Sequence, residues 1–131
     1  MARLTPRQLP DRQLGGDQLA AQIVDLARVL HWRAVHHRPG RTASGYRTAI
    51  TGDVGFPDVV VARAGALYVW ECKRQLETVP GAQMAWIAAL QLAGVDARVV
   101  RPSDWPTIEA VLRMPAGRRL AWPDPDEETT T

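Results

Sequence analysis

The sequence contains little cysteine, little lysine and no long apolar run. Its 131 residues include one cysteine, Cys72, which excludes an internal disulfide framework and a zinc site built from several cysteines. No apolar stretch approaches the roughly 18 residues that a membrane-spanning helix needs, and the polar N-terminus lacks the apolar segment of a secretory signal. We therefore expect a cytoplasmic protein in a reducing compartment, with no membrane partner.

The scarcity of lysine is informative because the chain is otherwise rich in basic residues. Arginine supplies 15 of the 16 basic residues, and Lys73 is the only lysine. Lysine differs from arginine in that its compact ammonium group can change its pKa and serve in proton transfer or charge stabilisation. Its position two residues after Glu71 favours a functional role over chance within an arginine-biased composition.

Acidic residues are absent between Asp25 and Asp53, a stretch that holds five arginines and all three histidines. Residues 1–123 carry 16 basic and 10 acidic residues, a net charge of +6. A guanidinium group stays charged and can donate two hydrogen bonds at once to a phosphate, so this block can bind a nucleic-acid backbone. A solvated basic face is the alternative interpretation. The residues that we predict to contact nucleic acid are Arg38, Arg41, Arg47, His36 and Tyr46.

Hydrophobic periodicity predicts three helices in a single domain. The first begins at Asp17, which can cap its N-terminus. The second ends at Gly94, and the third spans about residues 103–114. Residues 1–15 are aperiodic and predict a flexible arm, and residues 115–131 predict a disordered acidic tail.

Short apolar runs predict four strands, at residues 32–37, 58–62, 66–73 and 95–100. The second and third of these form a hairpin that turns at residues 63–65. Residues 39–57 predict a long loop, of a length that is usually functional or mobile. The element order is αβββαβα, which favours an α/β fold with a mixed central sheet flanked by helices.

Three charged residues interrupt the two apolar strands of the predicted hairpin. Asp58 opens the first strand, and Glu71 and Lys73 close the second. Because strand residues alternate between faces, Glu71 and Lys73 project from one side and Cys72 from the other. The turn brings Asp58 near Glu71 at the open end of the hairpin.

Two converging carboxylates repel each other unless they are protonated or bridged by a cation. Oxygen ligands suit Mg²⁺ or Mn²⁺, and an ion held there can lower the pKa of a water for attack on phosphorus. An ammonium group beside such an ion completes a site for phosphodiester hydrolysis. The alternative is a surface salt bridge at the frayed end of a hairpin, which would carry no function.

The segment Gly55–Asp58 (GFPD), followed after twelve residues by Glu71–Lys73 (ECK), resembles the signature of the PD-(D/E)XK nucleases. The wider frame from Asp17 to Leu112 resembles the VRR-NUC branch of that superfamily, which includes small phage nucleases similar to Holliday-junction resolvases. The resemblance implies a restriction-endonuclease-like fold over residues 16–114 and a Mg²⁺- or Mn²⁺-dependent endonuclease. Its implied substrate is DNA, with branched or flap structures favoured, in a bacterial or phage-infected cell.

The resemblance also implies roles for individual residues. Asp58 and Glu71 match the metal-binding carboxylates, helped by the backbone carbonyl of Cys72. Lys73 matches the catalytic lysine, and Gln83 matches a glutamine that lines the site.

One position departs from the family pattern. Relatives carry a glutamate near the start of the first helix, where this chain has Gly16. Asp17 can replace that glutamate as a third acid or can cap the helix, and we favour the cap. On this basis we expect Gly16→Glu to add a carboxylate ligand and to tighten Mg²⁺ binding.

Two other functions remain open on the sequence alone. A nucleic-acid-binding module that kept the fold and lost turnover would explain the arginine block, although it leaves the lone lysine unexplained. A non-catalytic assembly protein of phage origin would make the charges surface pairs. For a nuclease this small, cutting two strands together implies a homodimer.

Overall fold

A four-stranded mixed sheet forms the centre of the computed structural model, which describes residues 14–37, 40–42, 45–47 and 50–123. The strands along the chain are β1 (Arg33–His36), β2 (Gly40–Thr42), β3 (Gly45–Arg47), β4 (Val59–Arg63), β5 (Ala66–Cys72) and β6 (Asp96–Val100). The four-stranded sheet has the spatial order β1-β4-β5-β6, in which only β5 and β6 run parallel to each other. A separate antiparallel pair consists of β2 and β3.

Three helices cover the sheet, which confirms the predicted mixed α/β class. They are α1 (Gly16–Val29), α2 (Gly81–Leu92) and α3 (Trp105–Leu112), with a short 3₁₀ turn at Pro102–Asp104. None of these described helices has the length and apolar character to cross a membrane. The predicted order was wrong at one point, because β2 and β3 lie inside the segment that we expected to be a loop. Their polar, glycine-containing sequences lack the apolar alternation that identified the other strands.

The main core lies on one face of the sheet, beneath α1 and α3. Alternate residues of β4 and β5 point into it, including Val61, Tyr68 and Trp70. Cys72 belongs to this core and is 4% exposed, which confirms that its side chain points away from Glu71. The opposite face packs Val69 and residues of β6 against α2 in a smaller cluster.

The ordered domain extends further at both ends than we predicted. Leu14, which we placed in the flexible arm, is 1% exposed and belongs to the main core. Leu120 and Trp122, which we placed in the disordered tail, pack against the same core. The Tyr68 hydroxyl donates to the carbonyl of Leu120 at 2.8 Å, which fixes this segment to the sheet. Residues 1–13 and 124–131 lie outside the described residues.

Candidate active site

The open end of the β4–β5 hairpin brings Asp58 and Glu71 together, as we predicted. Val59 pairs with Trp70 in the ladder, so the next residues outward face each other. The backbone amide of Asp58 donates to Glu71 Oε2 at 3.2 Å. The backbone amide of Cys72 donates in turn to Asp58 Oδ1 at 3.0 Å. Each carboxylate therefore accepts a hydrogen bond from the other's strand, and this reciprocal pair fixes both side chains.

Burial makes the charged forms of both carboxylates unfavourable. Glu71 is 3% exposed, and burial followed by the nearby Asp58 charge raises its pKa from 4.5 to about 7. Burial also raises the pKa of Asp58 from 3.8 to about 6, against the lowering effect of the Cys72 amide and the Lys73 charge. Without a cation, the pair carries less than its full negative charge near neutral pH.

Lys73 and Gln83 both contact the Glu71 carboxylate, so the four residues that the resemblance assigned to catalysis lie together. Lys73 Nζ lies 3.5 Å from Glu71 Oε1, and its side chain is 12% exposed. Gln83, in the first turn of α2, donates from Nε2 to the same oxygen at 2.9 Å. The Gln83 Oε1 atom is buried and has no hydrogen-bond partner among the described residues. Sequence reasoning missed Glu77, whose Oε2 lies 3.7 Å from Lys73 Nζ at an i,i+4 spacing.

His36 faces the carboxylates, a contact that the sequence did not reveal. Its Nε2 atom lies 3.7 Å from Asp58 Oδ2 and 3.6 Å from Asp17 Oδ1, and its side chain is 9% exposed. Potential ligand atoms of the three residues all lie within 4.8 Å of one another. The position follows from strand pairing, because His36 pairs with Val59 and the His37 amide donates to the Asp58 carbonyl at 2.6 Å.

The predicted role of Asp17 as a helix cap was wrong. The N-cap of α1 is Gly15, whose amide donates to Gln18 Oε1 at 2.9 Å. Asp17 lies in the first turn of the helix, where its carboxylate can complement the helix dipole. Its side chain is 82% exposed and reaches the outer side of the group formed with His36 and Asp58.

Because residue 16 is a glycine, α1 approaches the Cys72 carbonyl more closely than it could with a side chain at that position. A Cβ atom on Gly16 would lie 2.5 Å from the Cys72 carbonyl oxygen and 3.2 Å from its carbon. These are backbone atoms of a central strand and cannot move aside at low cost. This close approach argues against the expectation that Gly16→Glu would tighten metal binding, because the side chain would displace a carbonyl that the resemblance assigns to the metal.

The loop that precedes Asp58 is packed against the start of α2. Gly55 has φ +98°, and a Cβ atom there would lie 2.7 Å from the carbonyl carbon of Ala82. Glycine is thus required both by the backbone conformation and by the close approach. This contact sets the position of Asp58 relative to Gln83, one residue after Ala82. One open cleft of about 1330 Å³ is lined by Asp17, His36, Asp58, Glu71, Lys73 and Gln83, among others.

The remaining predicted nucleic-acid contacts can be placed only in part. Arg41 and Tyr46 pair with each other across β2 and β3, and Arg47 pairs with Gly40. The side chains of these residues, and the whole of Arg38, lie outside the described part of the chain. Their contact with nucleic acid stays a prediction.

Comparisons with protein-family models, curated proteins and solved structures give no significant match to this chain. Membership of the PD-(D/E)XK superfamily therefore stays a prediction from the motif residues.

We predict that Asp58→Asn stabilises the metal-free protein near neutral pH. A folded pKa of about 6, above the ordinary 3.8, means that the folded state binds the proton more tightly, so this contribution is fully present below the ordinary pKa and is lost as pH rises through 6. Asparagine keeps the Oδ1 acceptor without the charge. We expect a gain of about 1–2 kcal/mol in unfolding free energy at pH about 8 that shrinks at pH about 5.

Urea denaturation in the presence of a metal chelator measures the difference in unfolding free energy between Asp58→Asn and the wild type at both pH values. Asp53→Asn is the matched control, because Asp53 is an exposed residue that lines the same cleft. A lower unfolding free energy for Asp58→Asn than for the wild type at the higher pH would contradict the prediction, because it would show that the charged carboxylate stabilises the metal-free protein.

We predict that Gly16→Ala costs about 1–3 kcal/mol of unfolding free energy, because the added methyl group collides with the Cys72 carbonyl. Thermal or urea denaturation measures the loss. The control is Gly81→Ala at the start of α2, where a Cβ atom meets no atom within 4 Å among the described residues. Equal stability of the two variants would contradict the close approach of α1 to β5.

Proposed function

We propose that this protein is a metal-dependent nuclease that hydrolyses phosphodiester bonds of DNA, with the restriction-endonuclease-like fold of the PD-(D/E)XK superfamily. One observation carries the proposal. Two mutually fixed carboxylates, Asp58 and Glu71, meet beside the only lysine of the chain in an open cleft. Phosphoryl transfer needs this combination of cation ligands and a fixed positive charge, since its catalysis is mainly positioning and electrostatic stabilisation.

The donor set fits a hard divalent cation such as Mg²⁺ or Mn²⁺. Asp58 and Glu71 would hold the ion together with the Cys72 carbonyl. Burial is the main cause of their raised pKa values, and a cation bound between them would favour their charged forms. Asp17 and His36 stand on the outer side of Asp58 and offer further ligand atoms. When bound, the ion would polarise the phosphate and lower the pKa of a water molecule.

Protein groups supply the remaining requirements of the reaction. The Lys73 ammonium, beside Glu71, can stabilise the negative charge that develops on phosphate oxygens. The Gln83 amide holds Glu71 in place by hydrogen bonding. Its buried Oε1 atom can accept a hydrogen bond from a water and so orient that water for attack. We propose branched or flap DNA as the substrate, to be compared with linear, four-way and single-stranded DNA. For paired cuts we propose a homodimer.

We predict that Lys73→Ala lowers cleavage by about 100-fold or more while metal binding persists, because the ammonium acts on the phosphate and does not hold the ion. Cleavage of a DNA panel with Mn²⁺ or Mg²⁺ measures the first effect, and calorimetry measures the second. Lys73→Arg should also cleave poorly, since a planar guanidinium does not fit the place of a compact ammonium.

Arg113→Ala is the matched control, because Arg113 is an exposed cation that pairs with Glu109 at an i,i+4 spacing and does not line the cleft. Cleavage by Lys73→Ala at the rate of this control would contradict the assignment of Lys73. If the wild-type protein binds neither ion and cuts no member of the panel, the nuclease proposal itself fails.

We predict that the combined Arg38→Ala and Arg41→Ala variant depends less on salt when it binds DNA. Each lost phosphate contact should reduce the slope of log affinity against log salt concentration by about 0.9 for duplex DNA. Binding titrations over a range of salt concentrations give this slope, and Arg113→Ala is again the control. An unchanged slope would assign both arginines to a solvated surface.

A further inference from the structure

Three aromatic side chains stand in edge contact on one wall of the cleft. The Phe56 and Trp86 ring centroids are 5.1 Å apart with an interplanar angle of 77°. The His37 and Phe56 centroids are 6.0 Å apart at 68°. We call His37, Phe56 and Trp86 the aromatic wall. Phe56 is the only phenylalanine of the chain, and it is 39% exposed.

Each residue of the aromatic wall lies close in sequence to a residue that contacts or contributes to the Asp58–Glu71 carboxylate pair. His37 follows His36, and Phe56 precedes Asp58 by two residues. Trp86 lies three residues after Gln83, so both side chains emerge from the same face of α2. Backbone geometry therefore fixes the aromatic wall beside the carboxylates.

The aromatic wall is held in place before any ligand binds. The Trp86 indole donates to the Asp53 carbonyl at 3.2 Å, which fixes the ring against the loop. Gly55 packs against the backbone of Ala82, and the buried Pro57 follows Phe56 directly. A ligand that stacks on these rings would lose little free energy to ordering them.

The Phe56 and Trp86 rings of the aromatic wall are not part of the hydrophobic core. Phe56 and Trp86 belong to neither of the hydrophobic clusters found among the described residues. Two further apolar side chains, Ile50 and Val54, line the same cleft and are 47% and 60% exposed. Exposed apolar side chains that line one cleft beside charged groups are typical of a binding site.

We propose that the aromatic wall stacks an unpaired base of the DNA strand next to the phosphate that is cleaved. The proposal rests on the nuclease function and defines its substrate class as DNA with an unpaired segment at the cut. In a duplex the faces of each base are covered by its neighbours, so an aromatic ring can reach the face of a base only when that base has left the stack. Phenyl and indole rings stack on every base, so recognition would tolerate any sequence.

Base-dependent binding without cleavage tests this proposal. Fluorescence anisotropy in a metal chelator would compare a short oligothymidylate with an oligonucleotide of equal length made of abasic sites, and with a blunt duplex. We expect the wild-type protein to bind oligothymidylate most tightly. Phe56→Ala and Trp86→Ala should each weaken that binding by about 5- to 100-fold and leave the affinity for the abasic strand unchanged.

Matched variants separate stacking from apolar contact and from misfolding. Phe56→Tyr keeps a ring and should bind oligothymidylate as the wild type does, whereas Phe56→Leu keeps apolar volume without a π face and should bind as weakly as Phe56→Ala. Leu76→Ala and Leu92→Ala remove side chains that are 82% and 90% exposed outside the cleft lining, and should change nothing.

Four results would overturn the proposal: no binding of oligothymidylate, equal affinity for the abasic strand, preference for the blunt duplex, or wild-type affinity in Phe56→Leu. Failure of this proposal and failure of the nuclease function give different results. Base-dependent binding by a protein that neither cleaves nor binds metal would leave the aromatic wall in place and remove the nuclease. Cleavage by a protein whose binding ignores the bases would do the reverse.

Discussion

Two hydrogen bonds, from the Asp58 amide to the Glu71 carboxylate and from the Cys72 amide to the Asp58 carboxylate, are the constraint on which the site depends. Two acids of like charge would separate if their side chains were free, but each is held by an amide of the opposite strand. The core beneath the hairpin keeps those strands in register, so hydrophobic packing on one face maintains an unfavourable arrangement at the strand ends. Such locally destabilised groups are typical of functional sites, because the surrounding structure over-determines them.

Four segments from distant parts of the chain converge on this carboxylate pair. The helix α1 brings Gly16 against the Cys72 carbonyl, and β1 brings His36 against Asp58. The helix α2 brings Gln83 to Glu71, and the loop before β4 is held against that helix at Gly55. Two of these approaches require glycine, since they place backbone against backbone. The site is therefore a product of close element packing as much as of its charged residues.

The sequence predicted the hairpin and its charged end well, because strand alternation and a short turn determine which residues face each other. Counting from the turn was enough to place Asp58 opposite Glu71. It could not predict that His36 joins them, since that contact depends on β1 pairing with β4 and leaves no periodic pattern in β1 itself. The clash that Gly16 avoids is likewise a distance between elements far apart in sequence. The domain ends were misplaced because isolated apolar residues such as Leu14 stand in polar, proline-rich surroundings.

The backbone and the side chain of Cys72 lie in different surroundings. Its carbonyl oxygen is close to Gly16 at the cleft, while its thiol is buried in the main core. Burial raises the pKa of that thiol, and the nearby carboxylates raise it further. Because the thiolate is the form that reacts with alkylating agents, the folded protein shields its one cysteine from them. The rate at which a thiol reagent labels Cys72 thus reports how often the sheet opens beneath the carboxylates, a local-opening measurement that needs no introduced probe.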